Sequence, residues 1–310
     1  MSAIIQVKNL CKSFRQFDAV KDLSFTVNQG DIFGFLGQNG AGKSTTIRML
    51  LTLIHPSSGS IELFGQQLQG NRKSILNRVG AIIERPDLYK YLSALDNLKL
   101  FAKMSGLNLK ESELVAQLDL VGLADRKESK ISTFSQGMKQ RLGIAVALVH
   151  GPELIILDEP TNGLDPQGIA DMRNLIVQLS KERGKTVLVS SHLLSEIEII
   201  ANRMLIIHKG EKVVEGDVKR LLDPSKTTVT LDTTDNVMAL AILRESAWFP
   251  NLTISDELIR LEMSKNDIEQ LVKFLVEKGV GVHLVQPRHS LEEYFLNLTN
   301  TNAHAAPFAN

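Results

Sequence analysis

A glycine-rich segment constrains this chain more than any other feature of its sequence. Residues 37–45 read GQNGAGKST and match the P-loop pattern G-x-x-x-x-G-K-[ST]. An apolar strand-like run, Ile32–Leu36, precedes the segment, and a helical run, Thr45–Leu51, follows it. Glycines let backbone N–H groups turn inward around phosphate oxygens, and the N-terminus of the following helix adds its positive dipole end. The sequence therefore predicts a strand–loop–helix unit that holds nucleotide phosphates.

Two side chains of this loop have the chemistry that a bound triphosphate needs. Lys43 is predicted to reach the β- and γ-phosphates, and the Ser44 hydroxyl is predicted to bind Mg²⁺. Asn39 is expected to contribute its backbone or a single contact to the γ-phosphate. The other members of the predicted nucleotide-binding set in this loop are Gly37, Gly40, Ala41, Gly42 and Thr45.

Composition and charge restrict the class of protein. The chain has 310 residues, enough for two domains, and its 43% hydrophobic and 23% charged residues are typical of globular proteins. Lys+Arg and Asp+Glu both number 35, so the balanced charge disfavours a nucleic-acid partner. The single cysteine, Cys11, fits a reducing compartment. No signal-peptide pattern and no apolar run of ~18–20 residues is visible, so we expect work at a membrane to need a separate partner.

The order of strand and helix patterns predicts two domains. Residues 1–223 alternate strands and helices, which favours a mainly parallel α/β sheet, with a helical region over about residues 85–150. Residues 224–300 have the order β-α-β-β-α-β, which suggests a ferredoxin-like α+β module. A last helix is predicted from Ser290 through Leu298, and residues 301–310 are predicted to be a disordered tail.

A second motif is an apolar strand that ends in two carboxylates. The run Leu154–Leu157 is uninterrupted, as expected for a strand buried on both faces of a sheet, and Asp158 and Glu159 follow it. Ligands of parallel α/β sheets bind at the carboxyl ends of the strands. We therefore predict that Asp158 holds the Mg²⁺ and that Glu159 accepts a proton from an attacking water.

A second anion-binding element lies in the helical region. Ser135 is a good N-cap, and Gly137 allows close backbone approach at the start of a helix. One chain thus has two phosphate-recognition elements for a single bound triphosphate. A head-to-tail dimer resolves this mismatch, because each P-loop would pair with the Ser135 helix of the other chain.

These motifs together resemble those of ATP-binding-cassette (ABC) transporter ATPases, over about residues 4–215. The similar segments are residues 37–45 for Walker A, residues 154–159 for Walker B with its catalytic glutamate, and Phe134–Met138 for the LSGGQ signature. The resemblance implies an α/β P-loop cassette with a mainly parallel core, an N-terminal antiparallel β subdomain and an inserted α-helical subdomain. It also implies that Ser135 and Gly137 close on the γ-phosphate of the partner chain, so that hydrolysis requires dimer closure.

Three further positions match the family. Asn162–Asp165 resembles the D-loop, His192 the switch histidine, and Phe14 the aromatic residue that stacks on adenine. The resemblance implies that Asp165 acts across the dimer interface and that His192 contacts the γ-phosphate and helps to position the water. For Phe14, the alternative is a core residue of the N-terminal sheet.

Two departures from the family pattern bear on function. Glu84 stands where the family has a glutamine that touches Mg²⁺. A glutamate oxygen still suits Mg²⁺, so Glu84 is predicted to be a metal ligand, and the alternative is that it only positions Arg85 and the following loop. The signature has Gln136 for glycine and Met138 for glutamine.

The variant segments at residues 83–86 and 134–141 resemble the drug-, peptide- and lipid-exporting branch that includes bacitracin-resistance-type ATPases. The resemblance implies an ATP- and Mg²⁺-dependent ATPase subunit, working as a homodimer with a separate transmembrane permease subunit. It would lie at the cytoplasmic face of the cell membrane, associate with the membrane only through the permease, and bind no nucleic acid. Two alternatives are a soluble ABC ATPase acting on ribosomes or DNA, and a non-hydrolysing regulatory nucleotide binder.

Overall fold

The computed structural model describes residues 2–221, 227–248, 252–255 and 258–289. Within it the chain divides into two units, Met1–Asp217 and Val218–Asn310. The predicted helix from Ser290 through Leu298 and the predicted disordered tail lie outside the described residues. Among the described residues, no helix combines the length and the apolar character that a membrane crossing requires.

The strands and helices alternate along much of the chain. In chain order the strands are β1 (Ala3–Phe14), β2 (Phe17–Asn28), β3 (Ile32–Leu36), β4 (Ser58–Leu63), β5 (Gln66–Gln67), β6 (Val79–Ile82), β7 (Leu154–Asp158), β8 (Thr186–Ser191), β9 (Arg203–His208), β10 (Glu211–Asp217), β11 (Thr227–Thr233), β12 (Leu252–Ser255), β13 (Leu258–Met263) and β14 (Val282–His289). The helices are α1 (Lys43–Leu50), α2 (Arg72–Leu76), α3 (Ala94–Met104), α4 (Glu111–Leu120), α5 (Gln136–Leu148), α6 (Pro166–Lys181), α7 (Leu194–Ile200), α8 (Val218–Leu221), α9 (Asn236–Arg244) and α10 (Ile268–Glu277).

A central sheet organises the first unit, with the strand order β10-β9-β3-β8-β7-β6. All neighbouring pairs are parallel except β10 with β9, which is antiparallel. Strands β3, β7 and β8 are buried at every residue, because the middle of a parallel sheet is covered on both faces. Their carboxyl ends therefore meet at one edge of the sheet, where the predicted site residues follow.

An antiparallel sheet with the order β2-β1-β4-β5 covers the helix of the P-loop. Buried side chains of this sheet form one core with α1 and the central sheet; they include Leu10, Leu23 and Phe25 with Ile47, Leu50 and Phe33. The Phe25 ring stacks on Phe33 at 5.9 Å between ring centroids. This arrangement confirms the predicted N-terminal antiparallel β subdomain and the mainly parallel core.

The helical region between β6 and β7 contains α3, α4 and α5. Ser93 caps α3 by accepting a hydrogen bond of 3.0 Å from the Asp96 N–H. Helix α5 lies so close to β6 that a Cβ at Gly80 would stand 2.2 Å from the Ala147 carbonyl oxygen. Glycine is therefore required at this crossing, and the crossing sets the position of the helix that Ser135 begins.

The second unit has an antiparallel sheet with the order β12-β13-β11-β14. Helices α9 and α10 contribute Leu243, Leu271 and Leu275 to a core that Val229 and Leu261 complete from the sheet. The alternation of buried and exposed residues along β13 places one face of the sheet on this core. The element order is the predicted β-α-β-β-α-β order of a ferredoxin-like module.

A buried carboxylate ties the loops together at the amino end of the central sheet. Asp31, which precedes β3, is 2% exposed. It accepts hydrogen bonds from the Asn28 N–H at 2.8 Å and from Asn202 Nδ2 at 2.7 Å, and Arg203 Nη1 lies 3.4 Å from it. These contacts join β2, β3 and β9 at the edge of the sheet opposite to the predicted site.

Replacing Asp31 by alanine leaves these buried donors without their acceptor, so we expect Asp31→Ala to lower the free energy of unfolding by about 2–3 kcal/mol. Urea denaturation followed by circular dichroism measures the change. Asp125→Ala removes an exposed carboxylate and is the matched control, with an expected change within about 0.5 kcal/mol. Equal unfolding midpoints for the two variants would contradict this assignment.

Candidate functional site

The P-loop connects the carboxyl end of β3 to the first turn of α1. The Gly37 N–H donates to the Ser191 carbonyl at 3.3 Å, which anchors the start of the loop to β8. Gly42, the residue before α1, has φ +107°, and a Cβ there would stand 2.6 Å from the Ala19 carbonyl oxygen. Only glycine fits this backbone conformation and this contact. The loop therefore joins β3 to α1 in the strand–loop–helix order that the sequence predicts.

The Lys43 side chain folds back over its own loop. It is only 4% exposed, and Nζ donates to the Gly37 carbonyl at 2.6 Å and to the Gln38 carbonyl at 3.2 Å. Nζ also lies 3.1 Å from Glu159 Oε1, an ion pair without the alignment of a hydrogen bond. A buried ammonium must be paired, and these three oxygens supply the pairing where phosphate oxygens are expected to bind.

Asp158 provides an oxygen suited to a metal ion. The side chain is 1% exposed at the end of β7, and its Oδ1 accepts a hydrogen bond of 2.6 Å from the Ser190 hydroxyl. Its Oδ2 is buried and has no hydrogen-bond partner among the described residues. Mg²⁺ needs few protein oxygens, because phosphates and water complete its ligand shell. Asp158, with Ser44 in the first turn of α1, therefore fits the predicted magnesium site.

The Glu159 carboxylate lies between a lysine and a histidine. The backbone of Glu159 has φ +49°, which is uncommon for a residue with a side chain, and its N–H donates to the Ser190 hydroxyl at 2.9 Å. Glu159 Oε2 lies 2.8 Å from His192 Nδ1, and Oε1 pairs with Lys43. The structure thus brings together the three residues that are predicted to be catalytic, from the start of α1 and from the segments that follow β7 and β8. A carboxylate in this position can accept a proton from water.

The second predicted phosphate element lies in a different cavity. Ser135 caps α5, and its hydroxyl accepts a hydrogen bond of 3.2 Å from the Met138 N–H. Asp165 caps α6 by accepting from the Gly168 N–H at 3.0 Å. Ser135, Gly137 and Asp165 line one cavity of about 320 Å³, and no residue of the P-loop lines it. The structure therefore groups the predicted site residues into two separate sets.

Phe14 lies at the tip of the hairpin formed by β1 and β2, where it pairs with Phe17. The side chain is 46% exposed, and Lys12 Nζ lies 4.9 Å from the ring centroid. This exposure contradicts the alternative that Phe14 is a core residue. Stacking of the ring on adenine stays a prediction, and the ring is accessible for it.

Glu84 pairs with a residue that the sequence pattern did not reveal. It follows β6 with φ +58°, and its 63% exposed side chain forms an ion pair with Arg48 of α1. Arg48 lies four residues after Ser44, so the two side chains share one face of α1. The function of Glu84 as a magnesium ligand stays a prediction, and Arg48 is a competitor for its carboxylate.

Other polar residues of the site also escaped the sequence analysis. Ser190 bridges Asp158 and the Glu159 N–H through its hydroxyl, and Ser191 anchors the P-loop. Both belong to the Ser-Ser-His run at the carboxyl end of β8. Polar residues in an otherwise apolar buried strand were the signal that could have identified them.

The chain is similar to known proteins over most of its length. A family model described as ABC transporter matches residues 20–162. The chain is 43% identical over 300 residues to the bacitracin transport ATP-binding protein BcrA of Bacillus licheniformis, covering 96% of this chain and 98% of that relative. It is 41% identical over 214 residues to the lantibiotic transport ATP-binding protein SrtF of Streptococcus pyogenes, covering 69% of this chain and 91% of the relative.

A solved structure is similar to most of the chain. The structure of cbiO1 from Clostridium perfringens, part of the ABC transporter complex cbiONQ, superposes with a TM-score of 0.65 at 26% identity. The match covers 71% of this chain and 90% of that one.

If Glu84 binds Mg²⁺, Arg48→Gln should release its carboxylate and lower the Mg²⁺ concentration that half-maximal ATP hydrolysis requires. Glu84→Ala removes the oxygen and should raise this concentration about tenfold, whereas Glu84→Gln keeps an oxygen and should change it less than about threefold. Titration of Mg²⁺ at saturating ATP measures all three variants.

The control for these variants is Glu153→Gln, which disrupts the ion pair of Glu153 with Arg78 on the same unit. Its Mg²⁺ requirement should equal that of the unsubstituted chain. An unchanged Mg²⁺ requirement in Glu84→Ala would overturn Glu84 as a ligand and leave it as the partner of Arg48 alone.

Proposed function

Because the chain belongs to the family of ABC transporter ATP-binding proteins, we propose that it is the ATP-hydrolysing subunit of an exporter of peptide antibiotics. Binding and hydrolysis of ATP with Mg²⁺ are the activities of this family. The observation that carries the proposal at the level of chemistry is the Glu159 carboxylate between Lys43 and His192, beside Asp158. This arrangement sets the order in which the groups act.

Binding of ATP exchanges the partners of Lys43. The triphosphate is anionic, so its oxygens compete with Glu159 and the Gly37 carbonyl for the ammonium group. When Lys43 turns to the phosphates, Glu159 loses its cation and keeps its contact with His192. Its carboxylate is then free to orient a water and to accept a proton from it.

Magnesium bound by Ser44 and Asp158 would neutralise part of the phosphate charge during hydrolysis. Hydrogen bonds within this chain fix the orientation of the other groups of the site. Ser190 holds Asp158 Oδ1 and the Glu159 N–H, so both carboxylates keep a defined orientation. His192, on the loop after β8, would contact the γ-phosphate while it hydrogen-bonds Glu159.

Two copies of the chain complete two sites. Ser135, Gly137 and Asp165 line a cavity separate from the P-loop, so within one chain they do not complete the site of Lys43. In a head-to-tail homodimer, the N-terminus of α5 would face the γ-phosphate on the partner chain. Closure of the dimer around ATP then precedes hydrolysis, and hydrolysis reopens it.

The transport path belongs to a separate transmembrane permease subunit. The described residues contain no helix able to cross a membrane, and the relatives are transport ATP-binding proteins. We place the chain at the cytoplasmic face of the cell membrane, attached through the permease. Function on ribosomes or DNA is not favoured, because relatives that match nearly the whole chain carry transport names. A non-hydrolysing regulator is disfavoured by the contact of Glu159 with His192.

The proposed class of cargo follows from two relatives of this chain. A bacitracin transport ATP-binding protein matches both units of this chain, and a lantibiotic transport ATP-binding protein matches most of it. Both bacitracin and lantibiotics are peptide antibiotics. We therefore infer an exporter of such peptides, whose specificity resides in the permease.

Glu159→Gln is expected to give an ATP-stabilised dimer. The amide keeps the shape of the side chain but cannot accept the proton, so ATP stays bound between two chains. Size-exclusion chromatography with and without ATP measures the change of mass. Lys43→Ala is the control that should stay monomeric with ATP. A monomeric Glu159→Gln profile at saturating ATP would contradict the two-chain site.

Lys43→Ala should reduce ATP hydrolysis at least about hundredfold, because it removes the cation that stabilises charge on the phosphates. Lys21→Ala removes a half-exposed lysine of a surface ion pair and serves as the control with unchanged hydrolysis. In the native host, deletion of the gene should increase sensitivity to bacitracin-like peptides. The unsubstituted chain should restore resistance and Lys43→Ala should not. Retained hydrolysis in Lys43→Ala would overturn the assignment of the site.

A further inference from the structure

A buried carboxylate lies behind the catalytic residues and belongs to none of the motifs. Glu196, in the first turn of α7, is 5% exposed. Its Oε2 accepts two hydrogen bonds, one from the Thr161 hydroxyl at 2.8 Å and one from the Ser191 hydroxyl at 2.8 Å. Within the described parts of the chain, no lysine, arginine or histidine forms an ion pair with it. Its contacts are therefore those of an acceptor that holds two hydroxyl groups.

The Ser191 hydroxyl belongs to the segment that carries His192, the predicted switch histidine. Ser191 is the last residue of β8 and directly precedes His192. Its hydroxyl also accepts a hydrogen bond of 3.0 Å from the Leu193 N–H, and its carbonyl accepts from the Gly37 N–H at 3.3 Å. Ser191 therefore touches both the loop of His192 and the start of the P-loop.

The Thr161 hydroxyl belongs to the segment that leads to the cavity lined by Ser135, Gly137 and Asp165. Thr161 is 9% exposed and follows Glu159 by two residues. Its carbonyl accepts a hydrogen bond of 3.2 Å from the Leu164 N–H, which closes the turn before Asp165. Leu164 and Asp165 line the cavity that Ser135 and Gly137 share. A shift of this turn therefore displaces the Thr161 hydroxyl.

Glu196 Oε2 thus joins two segments. One is expected to contact the partner chain, and the other is expected to contact the γ-phosphate. Buried hydroxyls need partners, and hydrogen bonds to carboxylates are stronger than those between neutral groups. Movement of either hydroxyl away from Glu196 would leave a buried group without its partner. The two segments are consequently favoured to move together.

We propose that Glu196 is a positioning residue that couples the segment Thr161–Asp165 to His192, so that closure at the partner chain is transmitted to the γ-phosphate. This inference rests on the proposed two-chain ATPase. Glu196 is not one of the residues predicted to bind nucleotide or metal, and it would act through Thr161 and Ser191. The rival explanation is a purely structural one, in which an acidic residue in the first turn of α7 stabilises the helix dipole.

Steady-state hydrolysis by the full-length chain separates these explanations. Glu196→Ala should lower kcat about tenfold and change KM for ATP less than about threefold, because the loop of His192 loses its position while the P-loop still binds ATP. Glu196→Gln keeps a side-chain oxygen that accepts both hydroxyl groups, so it should restore kcat to within about threefold of the unsubstituted chain.

The matched control is Asp31→Ala, which removes another buried carboxylate at the opposite end of the sheet. It should lower the free energy of unfolding, yet keep kcat unchanged at temperatures where the chain is folded. If Glu196→Ala behaves in the same way, with lower stability and unchanged kcat, the coupling function is overturned and the structural explanation holds.

A double-mutant cycle tests the coupling itself. Thr161→Val removes the hydroxyl at nearly constant volume and should lower kcat about fivefold in the unsubstituted chain, but less than about twofold when Glu196 is already alanine. Additive effects would overturn the coupling. Failure of the proposed function has a different signature, since it would appear as hydrolysis that Lys43→Ala does not remove.

Discussion

A buried lysine ammonium is the group on which the arrangement of the site depends. Lys43 is almost fully removed from water, and an unpaired charge in that position would cost several kcal/mol. Glu159 and two carbonyls of the P-loop supply its partners. This pairing is possible only because β3, β7 and β8 are parallel and end at one edge of the sheet. The charge pairing of the site therefore depends on the direction of the strands.

In the proposed mechanism, the same arrangement would make the site responsive to nucleotide. Phosphate oxygens would compete with the Glu159 carboxylate for the Lys43 ammonium group, so the predicted base would stay paired until ATP binds. Glu159 retains its contact with His192. Behind them, the Ser190 hydroxyl donates to Asp158, and the Ser191 hydroxyl donates to Glu196. Neutral hydroxyl donors therefore hold both buried carboxylates in position.

Local patterns predicted much of this molecule. The P-loop, the apolar strand ending in Asp158, and the cap of α5 are each encoded within a few consecutive residues, and the predicted fold and family are confirmed. The predicted roles of the site residues stay predictions. The sequence predicted that distant residues share a site, but not which side chains pair with each other, and the ion pair of Arg48 with Glu84 is the clearest case. Neither residue has a pattern of its own that names the other.

The sequence by itself predicted a phosphate-binding loop, because the spacing of glycine, lysine and serine within residues 37–45 suits the geometry of a bound triphosphate. The ordered motifs along the chain then identified the family by their resemblance to it. Tertiary structure alone decided which groups share a partner. Lys43 with Glu159, and Thr161 with Ser191 on Glu196, come from separate strands and loops that only the packed sheet brings within hydrogen-bond distance. Hydrogen bonds and ion pairs act over about 3 Å, so they depend on the fold and not on separation along the chain.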